Sequence, residues 1–228
     1  MTIKLRPTHP ATDYGRIAAI NNANNPFQIT VEMLHRWHVT DLPGRLCHRA
    51  VALEDGQVVG FNDIRHDPWD KPGRFHLRVM VDSQEQQRGS GTRLYDDALI
   101  WARQYDLKEI KAEIRDDCAA CLRFAETRGF QKQRHIFDSA LDLRTFDQTA
   151  WAGTIEAVAA TGIRFWTFAE IEITEAARRR LYELDRSVAQ DIPGWDNLPA
   201  PFEPWRKRVF DDVSYRAEGI IVAADVDE

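Results

Sequence analysis

The chain has 228 residues, 43% of them hydrophobic and 29% charged, which is typical of a globular protein with one full hydrophobic core and part of a second. Its net charge of −6 disfavours general nucleic-acid binding, and no apolar run approaches the roughly 18 residues of a membrane span. The chain starts with a polar stretch unlike a signal peptide, and its three cysteines are too few for a disulfide framework. We therefore expect a cytoplasmic protein without nucleic-acid or membrane partners.

The first part of the chain alternates between strand and helix periodicity. Strands are predicted over residues 3–7, 48–53, 58–65, 75–81 and 107–115, with an Asp55-Gly56 turn between the second and third. Four helices are predicted: over 13–24, from Thr30 onward, over 89–105 and over 117–128. The second should face inward with Met33, Leu34 and Trp37. The third should bury Leu94, Ala98, Trp101 and Tyr105. Gly129 is expected to end the last helix, and residues 130–143 to be extended.

The later part repeats the order of the beginning. After a connecting helix over 147–160, we predict a strand over 163–168, helices over 174–189 and 202–210, and a strand over 219–225. The helix over 174–189 places Ala177, Leu181, Leu184 and Val188 on one side, and Pro193, Pro199, Pro201 and Pro204 mark a loop. This internal repeat stops before a second glycine turn, so we expect a single active site.

The turn between the strand over 75–81 and the next helix contains two glycines, Gly89 and Gly91. Glycines let the backbone adopt positive φ and approach a ligand closely, while the first N–H groups of the helix point outward and favour an anion. A Walker loop is excluded because no lysine follows Gly91, and a dinucleotide fingerprint is excluded because Leu94 stands where a third glycine is needed. An ordinary glycine turn remains the structural alternative.

Two blocks resemble the GCN5-related N-acetyltransferase (GNAT) superfamily. Val81, Gln86, Gly89 and Gly91 match its signature Val-x-Pro-x-x-Gln/Arg-x-x-Gly-x-Gly/Ala, with Ser83 in place of the proline. The segment Glu126-Thr127-Arg128-Gly129-Phe130 resembles the end of the family's fourth helix and its Gly-Phe pair. The resemblance implies an α/β (α+β) GNAT acyl-CoA N-acyltransferase fold with a mixed sheet over residues 1–145. A connecting helix over 146–160 and a partial second GNAT-like unit over 161–228 would make this a tandem GNAT protein with a truncated second copy.

The resemblance also implies acetyl-CoA as co-substrate and no metal. The implied cofactor contacts are Val79, Met80, Val81, Gln86, Gln87, Arg88, Gly89, Ser90, Gly91, Thr92 and, where the family has an asparagine, Cys118. Cys118 and Cys121 have metal-like spacing, but no second pair completes a zinc site, and a redox role would want a thioredoxin-like context. We expect both to be buried in helix packing.

Acetyl transfer to an amine needs a base that removes a proton and a donor that protonates the departing thiolate. Glu113 matches the base of the ribosomal-protein alanine acetyltransferases, and His76 is a second candidate because its pKa suits the task. An exposed strand carboxylate and a structural histidine are the respective alternatives. The family's proton-donating tyrosine is Ala125 here, which leaves water or Tyr95 for that role.

The sequence therefore predicts an N-acetyltransferase that acetylates a primary amine of a small molecule or peptide by direct attack on the thioester. A non-catalytic acyl-CoA-binding or interaction module is the main alternative, and a structural dimerisation protein is a third. The strand over 219–225 would leave an apolar edge, so we also expect a homodimer.

Overall fold

The computed structural model describes residues 3–39, 44–137, 139–171, 173–192, 196–197, 199–211 and 215–225. The chain divides into two compact units, Met1–Gly129 with Asp196–Leu198, and Phe130–Trp195 with Pro199–Glu228. None of the helices in these described ranges is both long enough and apolar enough to cross a membrane.

A mixed five-stranded sheet forms the centre of the first unit. Its strands are β1 (Lys4–Pro7), β2 (Leu46–Glu54), β3 (Gln57–His66), β4 (Arg74–Val81) and β5 (Glu109–Lys111), in the order β1-β2-β3-β4-β5. All neighbours are antiparallel except β4 and β5, which are parallel. The helices are α1 (Pro10–Asn24), α2 (Val31–Val39), α3 (Ser90–Ala102) and α4 (Ala119–Glu126). The predicted α/β architecture with a mixed sheet is thus confirmed.

Helices cover both faces of this sheet because successive residues of β2 point to opposite sides. Val51 packs in a cluster with Ile17 and Ile20 of α1, whereas its neighbour Ala52 packs with Leu94 of α3. These apolar contacts hold α3, and with it the glycine turn that precedes α3, against the sheet.

Several elements predicted over residues 1–145 are shorter or more exposed than expected. Helix α3 ends at Ala102, and Tyr105, in the 3-10 turn that follows, is largely exposed, as is Trp37 of α2. The strand predicted over 107–115 is reduced to β5, because it has a pairing partner over that short stretch alone. The described residues of 130–143 form no strand, and Phe137, Leu141 and Leu143 are exposed. A segment with local β propensity does not form a stable strand unless a neighbouring strand hydrogen-bonds to it.

The second unit contains β6 (Ile163–Thr167) and β7 (Ile221–Asp225), paired antiparallel, and the helices α5 (Thr154–Ala159), α6 (Glu175–Ala189) and α7 (Phe202–Phe210). Its core is aromatic. The Trp205 ring lies 5.2 Å from that of Tyr182 and 5.8 Å from that of Phe210 between centroids. Tyr182 is the buried residue of α6, whereas Leu184 and Val188, which were predicted to lie on one side of this helix, are exposed.

The continuous helix predicted over 147–160 is interrupted. Gly153 has φ +80°, which separates a 3-10 turn (Gln148–Trp151) from α5. Of the prolines expected in a loop, Pro204 lies in the first turn of α7, where a missing N–H is tolerated, and Pro193 lies outside the described residues.

The β1-α1-α2-β2 and β6-α6-α7-β7 segments have matching proportions. α1 and α6 have 15 residues each, and α2 and α7 have 9 each. In both segments the two flanking strands pair antiparallel.

Candidate acyl-CoA site

β4 is paired with β5 along only part of its length. Their parallel pairing begins at Arg74↔Glu109 and ends at His76↔Lys111, whereas β4 continues to Val81 and stays paired with β3 on its other side. Among the described residues no strand pairs with the second edge of β4 from residue 77 onward. The peptide groups on that edge can therefore hydrogen-bond a ligand. The predicted contacts Val79, Met80 and Val81 all lie in this stretch.

An ion pair links β4 and β5 at the end where the two strands are paired. The Arg74 side chain is 3% exposed, and its Nε lies 2.8 Å from Glu109 Oε2 on the neighbouring strand. Asp196 also receives both guanidinium ends at 2.7 Å. Because Arg74 binds the Glu109 carboxylate on the neighbouring strand, β4 and β5 are held together at the end where they pair.

Hydrogen bonds within the turn from β4 to α3 stabilise its conformation. The N–H groups of Gln84 and Glu85 donate to Asp82, and the Gln86 side chain donates to the Val81 carbonyl at 3.3 Å. Gln87 (φ +63°) and Gly89 (φ +92°) both adopt the left-handed region. These two reversals bring the chain directly into the first turn of α3.

The backbone N–H groups of residues 87–92 lie in this turn and in the first turn of α3. Within the described part of the chain, none of them donates to a backbone or side-chain acceptor, and the first bond of α3 is Arg93 N–H to the Gly89 carbonyl. Unpaired amides at a helix start, together with the positive end of the helix dipole, form an anion site. The predicted contacts Gln87, Arg88, Gly89, Ser90, Gly91 and Thr92 are thus brought together as backbone donors.

The side chain of Arg88 is engaged elsewhere. Its guanidinium forms an ion pair with Glu85 and lies 3.6 Å from the buried Glu54 carboxylate. Two acidic neighbours offset its charge, so its contribution at the turn is mainly its N–H group.

Arg128 is a further cation at this turn, outside the contacts that the resemblance implies. Its guanidinium lies 3.5 Å from the centroid of the Phe124 ring, and its Nη2 donates to Thr92 Oγ1 at 2.9 Å. The Tyr95 ring stands perpendicular to that of Phe124, at 6.0 Å. The spacing of Phe124 and Arg128 by four residues, one helical turn, was the available signal. The arrangement places a positive charge beside the unpaired amides.

Cys118 and Cys121 are joined by a disulfide rather than packed separately in a helix core. Cys118 is the N-cap of α4, where it is half-buried, and Cys121 is exposed in the first turn. The expectation of buried cysteines is wrong, because the first turn of α4 faces solvent and the Cys-x-x-Cys spacing brings the two side chains together.

The two candidate bases occupy different environments. Glu113 is exposed and lies two residues beyond the end of β5. His76 lies at the last paired position, and its Nε2 is 3.0 Å from Oδ1 of the buried Asp70. Burial by itself would raise the pKa of Asp70, but hydrogen bonds from His76 and from the Asp67 N–H outweigh it and lower that pKa.

Residues 16–130, just over half of the chain, match the profile of the acetyltransferase (GNAT) family. The chain belongs to this family. Its solved structural neighbours agree in fold: Ard1 from Thermoplasma volcanium is 21% identical with a TM-score of 0.50, over 59% of this chain and 86% of that chain. The predicted GNAT fold is confirmed. No curated protein matches the chain.

Two further structures are similar to this GNAT chain. YncA from Salmonella typhimurium, a putative acetyltransferase solved with its cofactor acetyl-CoA, is 22% identical with a TM-score of 0.48, over 57% of this chain and 80% of that chain. A ribosomal-protein-alanine N-acetyltransferase from Brucella melitensis is 25% identical with a TM-score of 0.47, over 56% of this chain and 84% of that chain.

This GNAT chain differs from the expected family pattern at the proton donor. Ala125, at the position of the family tyrosine, is buried and carries no acidic hydrogen. Tyr95, proposed as a substitute, is half-buried, and burial is the main cause that raises the pKa of its hydroxyl. Tyr95 therefore keeps its proton at neutral pH, as a donor must.

Proposed function

We propose that the chain is an acetyl-CoA-dependent N-acetyltransferase that transfers an acetyl group to a primary amine by direct attack. The observation that carries this proposal is the continuity between the open edge of β4 and the unpaired amides of residues 87–92. An acyl-CoA needs hydrogen-bonding groups both for its amide-bearing arm and for its diphosphate. The peptide groups on the strand edge would bind the arm, and the amides at the helix start would bind the diphosphate.

The residues fit that ligand. Val79, Met80 and Val81 would hydrogen-bond the pantetheine arm, and the N–H groups of residues 87–92 would hold the diphosphate. Gln86 supports the turn through the Val81 carbonyl, and Cys118, at the start of α4, remains a proposed contact. When bound, acetyl-CoA supplies an activated thioester, and no metal is required for the transfer.

Glu113 is our first choice for the base. Its carboxylate is exposed beyond the end of β5 and, among the described residues, forms no ion pair, so it can accept a proton from the amine directly or through water. His76 stays a second candidate, although its Nε2 is already committed to Asp70. Tyr95 or water would protonate the thiolate that leaves.

Binding and turnover test this proposal in separate steps. Calorimetry with acetyl-CoA should show binding that Gly89→Val weakens at least about tenfold, roughly 1.4 kcal/mol. Gly56→Val is the matched control, because Gly56 has a similar φ of +83° in a hairpin turn with open space around it. Unchanged affinity in a folded Gly89→Val protein would reject the loop assignment.

An amine screen, followed by chromatographic detection of free CoA, then separates enzyme from binding module. Small amines, polyamines, amino acids and peptide N-termini should include an acceptor that accelerates CoA release. Tight binding without acetylation of any amine would favour the alternative, a non-catalytic acyl-CoA-binding or interaction module.

We also infer a domain organisation of 1–145, 146–160 and 161–228, in which the last part repeats the β-α-α-β segment that opens the first. The matching helix lengths and antiparallel strand pairs of the two β-α-α-β segments support this proposal. A stand-alone fragment 1–145 that binds acetyl-CoA as the whole chain does would agree with it, and an unfolded fragment would contradict it.

A homodimer through β7 is a further part of the proposal. Among the described residues β7 pairs only with β6, and Ile221 and Phe165 leave apolar surface exposed on this hairpin. Pairing of two copies through the same strand would cover that surface. Sedimentation should show a dimer that Ile221→Lys dissociates, whereas a monomer at all concentrations would exclude it. We expect the protein to act in the cytoplasm, where acetyl-CoA is present.

A further inference from the structure

The Cys118–Cys121 disulfide lies in a position where it contributes little to the stability of the fold. It closes a loop with a sequence separation of only 3, so it removes little chain entropy from the unfolded state. It also lies at a helix start that faces solvent, and Cys121 is exposed. A small dissolved thiol can therefore reach it.

The two sulfur atoms differ in their surroundings. Cys118 is half-buried at the N-cap of α4, and its Sγ accepts a hydrogen bond from the Cys121 N–H at 3.3 Å. A thiolate at this position is stabilised by that donor and by the positive end of the helix dipole. The exposed Cys121 Sγ is the sulfur that an incoming thiolate can approach.

We propose that Cys118 and Cys121 form a redox-active pair that exchanges with small soluble thiols. A thiolate bonds to Cys121 Sγ, the Cys118–Cys121 bond breaks, and its electron pair leaves on Cys118 Sγ. A second thiolate then attacks the small-molecule sulfur of the mixed disulfide and releases Cys121. Two small thiols are oxidised to one disulfide, the protein disulfide is reduced to two thiols, and the protons of the small thiols pass to the protein sulfurs.

The remaining cysteine provides an internal control. Cys47 is a free thiol in β2, and burial, helped by the nearby Asp63, raises its pKa to about 11. It stays protonated at neutral pH and is a poor nucleophile. Exchange should therefore be confined to the pair in α4.

The test uses the full chain in buffers with stepped ratios of reduced to oxidised glutathione, quenched with acid, alkylated with a maleimide and weighed by mass spectrometry. We expect two thiols to appear together as the ratio rises, reversibly, with the same midpoint in Cys47→Ser. In Cys118→Ser, Cys121 should carry one glutathionyl group in the oxidised buffers and lose it as the ratio rises, because no neighbouring thiol can displace it to form an internal disulfide. A parallel series with CoA and its disulfide shows whether CoA is also a partner.

Two results would overturn the proposal. One is a pair that stays reduced at every ratio, and the other is a disulfide that excess thiol opens only after the chain is unfolded. If Cys118→Ser does not fold, the titration of the unsubstituted chain still tests whether the pair exchanges with small thiols. Because the readout is a mass and not acetyl transfer, failure here is independent of failure of the proposed acetyltransferase activity.

Discussion

Phe124 lies against Gly91, so that a Cβ built on Gly91 would stand 3.6 Å from Cε2 of the Phe124 ring. The guanidinium of Arg128 covers the same ring, with 3.5 Å between Cζ and the ring centroid. The ring thus connects α4 to the start of α3. A cation is positioned beside the unpaired amides by this packing and by its hydrogen bond to Thr92, and among the described residues it has no carboxylate partner.

Arg128→Ala should weaken acetyl-CoA binding about tenfold, roughly 1.4 kcal/mol, because it removes a positive charge beside the diphosphate site. The loss should shrink as salt is added, since salt screens the attraction in the unsubstituted protein. Calorimetry at two ionic strengths measures both effects. Arg123→Ala, which removes an exposed cation of α4, is the control, and an equal loss in both variants would contradict a local role.

Gly60→Ala should destabilise the first unit by about 1–3 kcal/mol. A Cβ at Gly60 would stand 2.7 Å from the Met80 carbonyl oxygen, a backbone atom of the neighbouring strand that cannot move aside cheaply. Gly15→Ala should instead stabilise by roughly 0.5–1 kcal/mol, because Gly15 lies inside α1 with no atom within 4 Å of the added Cβ. Urea unfolding of the two variants should show opposite signs.

Stability should fall as the pH drops from about 4 toward 2, in part through Asp13. Its side chain is 2% exposed, and the Arg6 guanidinium at 2.6 and 2.8 Å, with help from the His9 N–H, lowers its pKa to about 2 against the opposing effect of burial. A folded-state pKa below the unfolded one gives stability that is present above the unfolded pKa and lost on protonation, here about 2 kcal/mol.

Asp13→Asn should therefore lower the free energy of unfolding at pH 7 by about 2 kcal/mol and flatten its dependence on pH below about 4. Asp106→Asn is the control, since it removes a carboxylate that is 79% exposed. A pH profile of Asp13→Asn identical to that of the unsubstituted chain would refute the assignment.

Glu113→Gln should reduce turnover on the order of a hundredfold and leave acetyl-CoA affinity unchanged, because the amide cannot accept the amine proton. His76→Asn should lower stability through the loss of its bond to the buried Asp70, with a smaller effect on turnover. Single-turnover rates and calorimetry separate the two effects. Full activity of Glu113→Gln would move the role to His76 or to water.

The sequence was sufficient wherever local chemistry and periodicity agreed. Gly89 and Gly91 predicted the turn, and the strand periodicity on either side of Asp55-Gly56 predicted the hairpin of β2 and β3. The sequence was insufficient to predict the length of a strand that depends on its pairing partner. β5 is short because its pairing with β4 stops at Lys111, and no local pattern encodes that stop. The place of Arg128 depends on packing between α3 and α4, a contact between segments distant in sequence.

The half-unpaired edge of β4 makes the stability of the chain depend on its surroundings. Residues 77–81 form a strand with a ladder on one side, so a ligand lying along the other side would complete the sheet. A ligand at 100 times its Kd adds about 2.7 kcal/mol to the free energy of unfolding. The lifetime of the protein against proteases in the cell would then rise and fall with the supply of the molecule that occupies this edge.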